Sequence, residues 1–186
     1  MNYYKSSKKT YETDEEIKEL ALNYLDKYQP SKKDLRLYLF KKVLSDEQSS
    51  ANKSIILEQI DKIIHQLDSL GLINDDLYSE IKSKNFLKRG YSLNKIKMTL
   101  SQKGIGSELL KKTIENIKKD NEDPDFYSAI KICKRRRIGP YRPDANKEMF
   151  FKKDIGVLAR AGFSYDTSVE VLNIDKKELK ILEKKI

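Results

Sequence analysis

The feature that most constrains this chain is an internal repeat punctuated by glycine. Leu100 and Leu158 each lie four residues before a glycine, Gly104 and Gly162; Ile105 and Phe163 follow directly, and Ile114 and Leu172 stand ten residues beyond. Self-similarity of this kind marks a chain built from small modules, each too small to bury its own apolar face and completed by stacking on a neighbour. An earlier stretch matches in part: Ser31, Leu35 and Leu39 parallel Ser92, Ile96 and Leu100, with Val43 standing where the glycine would be.

Each module reads as helices. Thr13 and Glu16 have capping-box spacing, and Ile17, Leu20, Ala21, Tyr24 and Leu25 follow at helical intervals until Gln29-Pro30. Ser31 caps a second helix with Leu35, Tyr38 and Leu39 on one face, before the polar insertion 45–53, which reads as a loop. From Ser54 an apolar stripe of Ile56, Ile60, Ile63, Ile64, Leu67 and Leu70 runs to Gly71. Asp75, Ser92 and Ser107 then cap three helices in turn. After the polar linker 119–124 a helix over 125–137 leads into Ile138-Gly139-Pro140-Tyr141-Arg142-Pro143, where two prolines exclude a continuous helix. A further helix ends at Gly162, and Ser164 opens a short last one to Leu172. The expected fold is all-α: tandem three-helix repeats stacked into an elongated array. The divisions are a polar tail 1–12, a first repeat 13–73 with the insertion, a second repeat 74–122, a third 123–173 and a charged tail 174–186.

Composition narrows the function. Of 186 residues, 38 are Lys or Arg against 29 Asp or Glu, a net charge of +9 that favours an anionic partner, nucleic acid or an acidic protein surface. One cysteine, Cys133, and one histidine, His65, exclude a disulfide framework and a common zinc site, and both read as structural residues. No stretch approaches a membrane span and the N-terminus is polar, so a cytoplasmic protein is expected. Gly104-Ile105-Gly106 lacks the strand before it and the Lys-Ser/Thr after it that a phosphate loop requires, and reads as a turn between helices. The carboxylates form no pairing distinguishable from a charged helix surface, so no enzyme chemistry emerges.

The strongest local signal is residues 131–142, where Lys131, Lys134, Arg135, Arg136, Arg137 and Arg142 stand without an acidic residue among them. Arginine suits bidentate phosphate or carboxylate contacts, and Tyr141 beside them has a ring able to stack on a base. The bland alternative is a solvated helix end whose cations meet the macrodipole. Lys82, Lys84, Lys88, Arg89, Lys95, Lys97 and Lys103 make a more dilute basic region, and stacked repeats would align Lys88 and Arg89 with Arg135, Arg136 and Arg137.

Residues 67–75 (LDSLGLIND), then Lys88-Arg89-Gly90-Tyr91-Ser92 and Leu100-Ser101-Gln102-Lys103-Gly104-Ile105, resemble in order and spacing the central repeat of RecX regulators. Residues 134–142 (KRRRIGPYR) and 158–164 (LARAGFS) resemble the third repeat of one RecX branch. The first repeat departs from that pattern through its insertion and missing glycine. The resemblance implies that the tandem three-helix repeats form an elongated curved array, a regulator without enzymatic activity or cofactor that lodges in the RecA-DNA filament and restrains strand exchange, ATP turnover and co-protease action in DNA repair and the SOS response. Its partners would be the RecA filament and single- and double-stranded DNA, with no membrane, and the chain is expected to be a monomer. The rival reading is an independent helix-turn-helix reader of duplex sequence, for which the spacing from Ile96 to Leu110 is permissive.

Overall fold

The computed structural model describes residues 13–44 and 50–185. Among them every regular element is helical, as the cap and stripe pattern requires: ten α-helices and three short 3-10 turns, with no strand. The chain divides into two compact units, residues 1–78 and 79–186.

In the first unit α1 (Asp14–Lys27), α2 (Lys32–Val43) and α3 (Ser50–Ser69) pack on one another. The capping box at Thr13 is formed on both sides: the Thr13 hydroxyl accepts from the Glu16 N–H, and the Glu16 carboxylate accepts from the Thr13 N–H. Pro30 falls in the break between α1 and α2, and the Ser31 hydroxyl accepts from the Asp34 N–H at the start of α2. The core gathers Ile17, Ala21, Leu35, Leu39, Val43, Ile60, Ile63, Leu67 and Ile73. Two expectations are corrected. Helix α3 begins at Ser50, so part of the insertion read as loop is helical; residues 45–49, like the tail 1–12, lie outside the described residues. Leu70, placed on the apolar stripe, is 64% exposed, because the chain leaves the helix at Ser69 and turns through Gly71 at φ +70°. His65 also faces solvent, so it is not a core residue.

Helix α4 (Asp75–Lys88) runs from the first unit into the second, which continues with α5 (Leu93–Gln102), α6 (Ser107–Asp120), α7 (Pro124–Arg136), α8 (Lys147–Arg160), α9 (Tyr165–Leu172) and α10 (Lys176–Leu182). Ser92 and Ser164 cap α5 and α9 as expected. Two other caps differ. At α4 the capping acceptor is Asn74, whose amide oxygen takes the Asp76 and Leu77 N–H groups, and Asp75 turns away to another partner. At α6 the cap is Gly106 without a side-chain bond, and Ser107 is the first helical residue. The stretch 174–186, read as a charged tail, carries α10, whose Leu179 is buried in a core with Ala129, Ile130, Cys133, Leu158, Phe163 and Leu172. Its cap, Asp175, accepts from the Lys177 and Glu178 N–H groups, so charge and helix start coincide there.

The repeat seen in sequence recurs as a shared joint. In the first unit the Lys32 N–H, next to the Ser31 cap, donates to Asp75 at 2.9 Å; in the second the Leu93 N–H, next to the Ser92 cap, donates to Asp125 at 2.7 Å. Each time an aspartate at the start of a later helix satisfies one of the amides that a helix N-terminus leaves without a partner. Burial pushes both carboxyls up from the ordinary aspartate range against the pull of that amide. The second joint is fastened further: the Ser92 hydroxyl donates to the Ala161 carbonyl at 2.9 Å, and the Asn94 amide reaches the Gly162 carbonyl at 3.4 Å.

Candidate nucleic-acid interface

The basic residues singled out in sequence fall into two groups, divided by what they touch. Arg142, Lys134 and Tyr141 hold the third repeat together. The Arg142 guanidinium makes two hydrogen bonds to Asp154, each 2.7 Å, while its Cζ lies over the Phe150 ring, 4.5 Å from the ring centre. Asp154 is 1% exposed and also accepts the Gly139 N–H at 3.0 Å. Burial alone would raise the Asp154 carboxyl; the Arg142 and Gly139 hydrogen bonds outweigh it and hold the group below the usual aspartate range. Lys134 and the Tyr141 hydroxyl both meet Glu183, at 3.0 and 3.1 Å, which ties α10 to α7 and occupies the tyrosine's polar end. The Tyr141 ring is half-buried against the core, and burial with the Glu183 bond pushes its hydroxyl far above the ordinary tyrosine range.

The other group is open. Lys88, Arg89, Arg135, Arg136 and Arg137 are exposed, and none of them forms an ion pair among the described residues. Arg135 donates to the backbone carbonyl of Arg89 at 3.1 Å, so the C-terminal ends of α4 and α7 meet and these five cations share one region. Gly90 permits the approach: at φ +77°, a Cβ on it would come within 3.1 Å of both the Lys131 Cβ and the Ser128 carbonyl oxygen. Lys131 lies half-buried at this seam, beside Leu87, Tyr127 and Lys185. Arg137 ends α7 in the left-handed conformation, φ +54°, with the Ile138 N–H bonded to the Cys133 carbonyl. Gly90 holds the same place after α4, where the Tyr91 N–H bonds to the Phe86 carbonyl. A non-glycine residue there costs about 1 kcal/mol, so the third repeat gains a cation at its helix end in exchange for backbone strain.

Among the described residues, the one cysteine and the candidate metal ligands form no competing site. Cys133 is fully buried and burial pushes its thiol up to about 12, which leaves it unreactive. Among the described residues no cluster of His, Cys, Asp or Glu is arranged to hold a metal, and no helix is long and apolar enough to cross a membrane. Helix α6, the reading helix of a helix-turn-helix arrangement, exposes Glu108 and Glu115 beside Lys111 and Lys112 and so presents no uniformly cationic face.

Sequence reading missed Asp154. The same register that aligns Leu39, Leu100 and Leu158 aligns Leu35, Ile96 and Asp154, so a charged residue at a position otherwise held by fully buried aliphatics was the available signal.

Regulatory protein RecX of Myxococcus xanthus is 28% identical over 160 residues, which make up 84% of each chain. The RecX proteins of Clostridioides difficile and Clostridium beijerinckii are 30% and 32% identical across 84% and 83% of this chain. Two solved structures, one titled regulatory protein RecX and one of RecX from Lactobacillus salivarius, share the fold with TM-scores of 0.64 and 0.61 over 87% and 90% of this chain, at 19% and 21% identity. The chain belongs to the RecX family. It spans 66% and 63% of those two clostridial RecX proteins, and 72% and 97% of the two crystallised chains. No family model matches it. The all-α fold expected from the cap and stripe pattern is the fold observed, and the relatives carry the name of regulatory proteins.

Proposed function

We propose that this RecX-family chain is a non-enzymatic regulator that binds the RecA-DNA filament and restrains recombination, ATP turnover and co-protease action during DNA repair and the SOS response. The observation that carries the reading is the junction of the α4 and α7 ends, where five exposed cations without ion-pair partners are brought together by the Arg135 to Arg89 bond. Helix-dipole compensation accounts for one or two cations at each helix end. Five at one seam, one of them in a strained backbone conformation, suit a polyanion better. Phosphates of the filament's DNA and acidic protein patches supply that charge, and attraction to them falls as salt rises.

Replacing Arg135, Arg136 and Arg137 together with alanine tests this surface. The helix content should be kept: Arg135 and Arg136 are exposed, alanine at the left-handed cap position meets the same backbone strain as Arg137, and the loss of last-turn cations costs about 1 kcal/mol or less; the Arg135 bond is to a backbone oxygen at the surface. Binding to RecA on single-stranded DNA should weaken, and each lost phosphate contact should flatten the log-log salt dependence by about 0.7 to 0.9. An unchanged salt slope, measured by titration between low and moderate salt, would return the cluster to the role of a solvated helix end.

A further inference from the structure

The first unit carries a second arrangement of cations, and here aromatic rings stand among them. We propose that the tyrosine cluster on α1 and α2 is a separate site for single-stranded nucleic acid, in which Tyr28 stacks on a base while Lys27 and Lys42 meet the flanking phosphates. The rings of Tyr24 and Tyr38 stack with centroids 3.9 Å apart and planes 19° from parallel, and Tyr28 leans on Tyr24 at 4.9 Å. Tyr24 and Tyr38 rest on the core of the unit and hold the cluster in place. Tyr28 does no such packing. It is 58% exposed, and it closes α1 with its backbone, through its N–H to the Tyr24 carbonyl, a task that needs no aromatic ring.

Around the rings lies a concavity of about 410 Å³ lined by Asn23, Tyr24, Lys27, Tyr28, Tyr38 and Lys42, with no carboxylate among them. That is within the range of small-ligand sites. Lys27 and Lys42 form no ion pair among the described residues. Each sits in the last turn of its helix, where a lysine compensates the dipole. That compensation does not require two helices to converge their lysines on one exposed ring. Every base offers a π-face of the kind a flat ring accepts, and every linkage offers a phosphate, so a tyrosine between lysines binds single strands with little sequence preference. Duplex DNA has its bases already stacked and presents only their edges. An acidic peptide would use the lysines and leave the rings idle.

The test needs no recombinase, so its failure and the failure of the filament reading are distinguishable. Full-length protein is titrated against a labelled oligothymidylate, an abasic oligomer with the same number of phosphates, and a duplex, following anisotropy. Tyr28→Ala should weaken oligothymidylate binding about tenfold, within the range found for one lost base stack, and leave abasic and duplex binding unchanged; Tyr28→Phe should bind as the unaltered protein does. Lys27→Gln with Lys42→Gln should flatten the single-strand salt slope by about 1.4, two phosphates' worth. Because Tyr28 is exposed and outside the core, unfolding midpoints should not move. The proposal is overturned if Tyr28→Ala binds oligothymidylate normally, if it weakens the abasic oligomer equally, or if polyglutamate displaces the strand as well as an abasic competitor of equal charge does.

Discussion

Substituting Asp154 with alanine should destabilise the second unit by about 3 to 5 kcal/mol, the cost typical of breaking a buried ion pair from one side. The Arg142 guanidinium, held against Phe150 and largely covered, would lose both hydrogen bonds, and the Gly139 N–H would lose its acceptor. Arg142→Ala should cost a similar amount for the opposite reason, since it leaves an uncompensated carboxylate at a 1% exposed position. Replacing both, Asp154→Leu with Arg142→Met, restores the aliphatic that Leu35 and Ile96 provide in the other repeats. It should therefore be more stable than either single variant, short by about 1 kcal/mol for the unpaired Gly139 amide. The pH dependence has a definite sign. The folded carboxyl titrates below an unfolded aspartate, whose pKa is about 3.9, so the contribution is complete above that value and is lost as pH falls through the folded one. Urea unfolding of the wild type and the double variant, followed by circular dichroism from pH 7 into acid, measures both effects. A single Asp154→Leu change that leaves the second unit's transition in place would show that the pair contributes nothing.

The larger functional effect is expected in ATP hydrolysis. Full-length protein should suppress RecA's hydrolysis on single-stranded DNA at a ratio well below one chain per recombinase subunit, because a ligand that touches neighbouring subunits or blocks a growing end perturbs more than the subunit it first meets. Several weak contacts on one chain reinforce one another, since later contacts become intramolecular. The basic seam should be indispensable: the triple arginine-to-alanine variant should need about tenfold more protein for the same suppression if its three phosphate contacts are lost. A truncation after Glu122 is a poorer instrument, as it strips Asp125 from the Leu93 amide and Ala161 from Ser92 and so unmakes the joint at α5. Phosphate release measured across a titration decides the matter: no suppression in molar excess contradicts the inhibitory reading, and equal suppression by the triple variant removes the seam from it.

What was legible in the sequence was local. Thr13, Ser31, Ser92 and Ser164 cap their helices through atoms three residues away or fewer, and the glycines at 71, 90, 104, 139 and 162 all take positive φ, so both signals sit within one turn of the feature they mark. Asp75 and Ser107 misled because a capping residue type also fits the first turn of a helix, and only the surroundings assign Asp75 to the Lys32 amide 43 residues away. The basic cluster at 131–142 was legible as charge but not as two groups. Its division depends on Glu183, which closes α10, and on Asp154 of α8, and its union with Lys88 and Arg89 depends on a bond spanning 46 residues. The tyrosine cluster was hidden for a similar reason: Tyr24 and Tyr38 read as stripe residues on separate helices, and their stack and the concavity beside it, which Tyr28 also lines, exist only once α1 packs on α2.

The central claim, that the chain recognises the recombinase filament and not DNA alone, is tested most directly by co-sedimentation with RecA assembled on single-stranded DNA, against the same DNA without RecA, at moderate salt. The account predicts that the protein pellets with the filament at concentrations where it stays in the supernatant with DNA alone. Equal partition between the two would contradict it, and would leave a basic helical protein whose partner is nucleic acid.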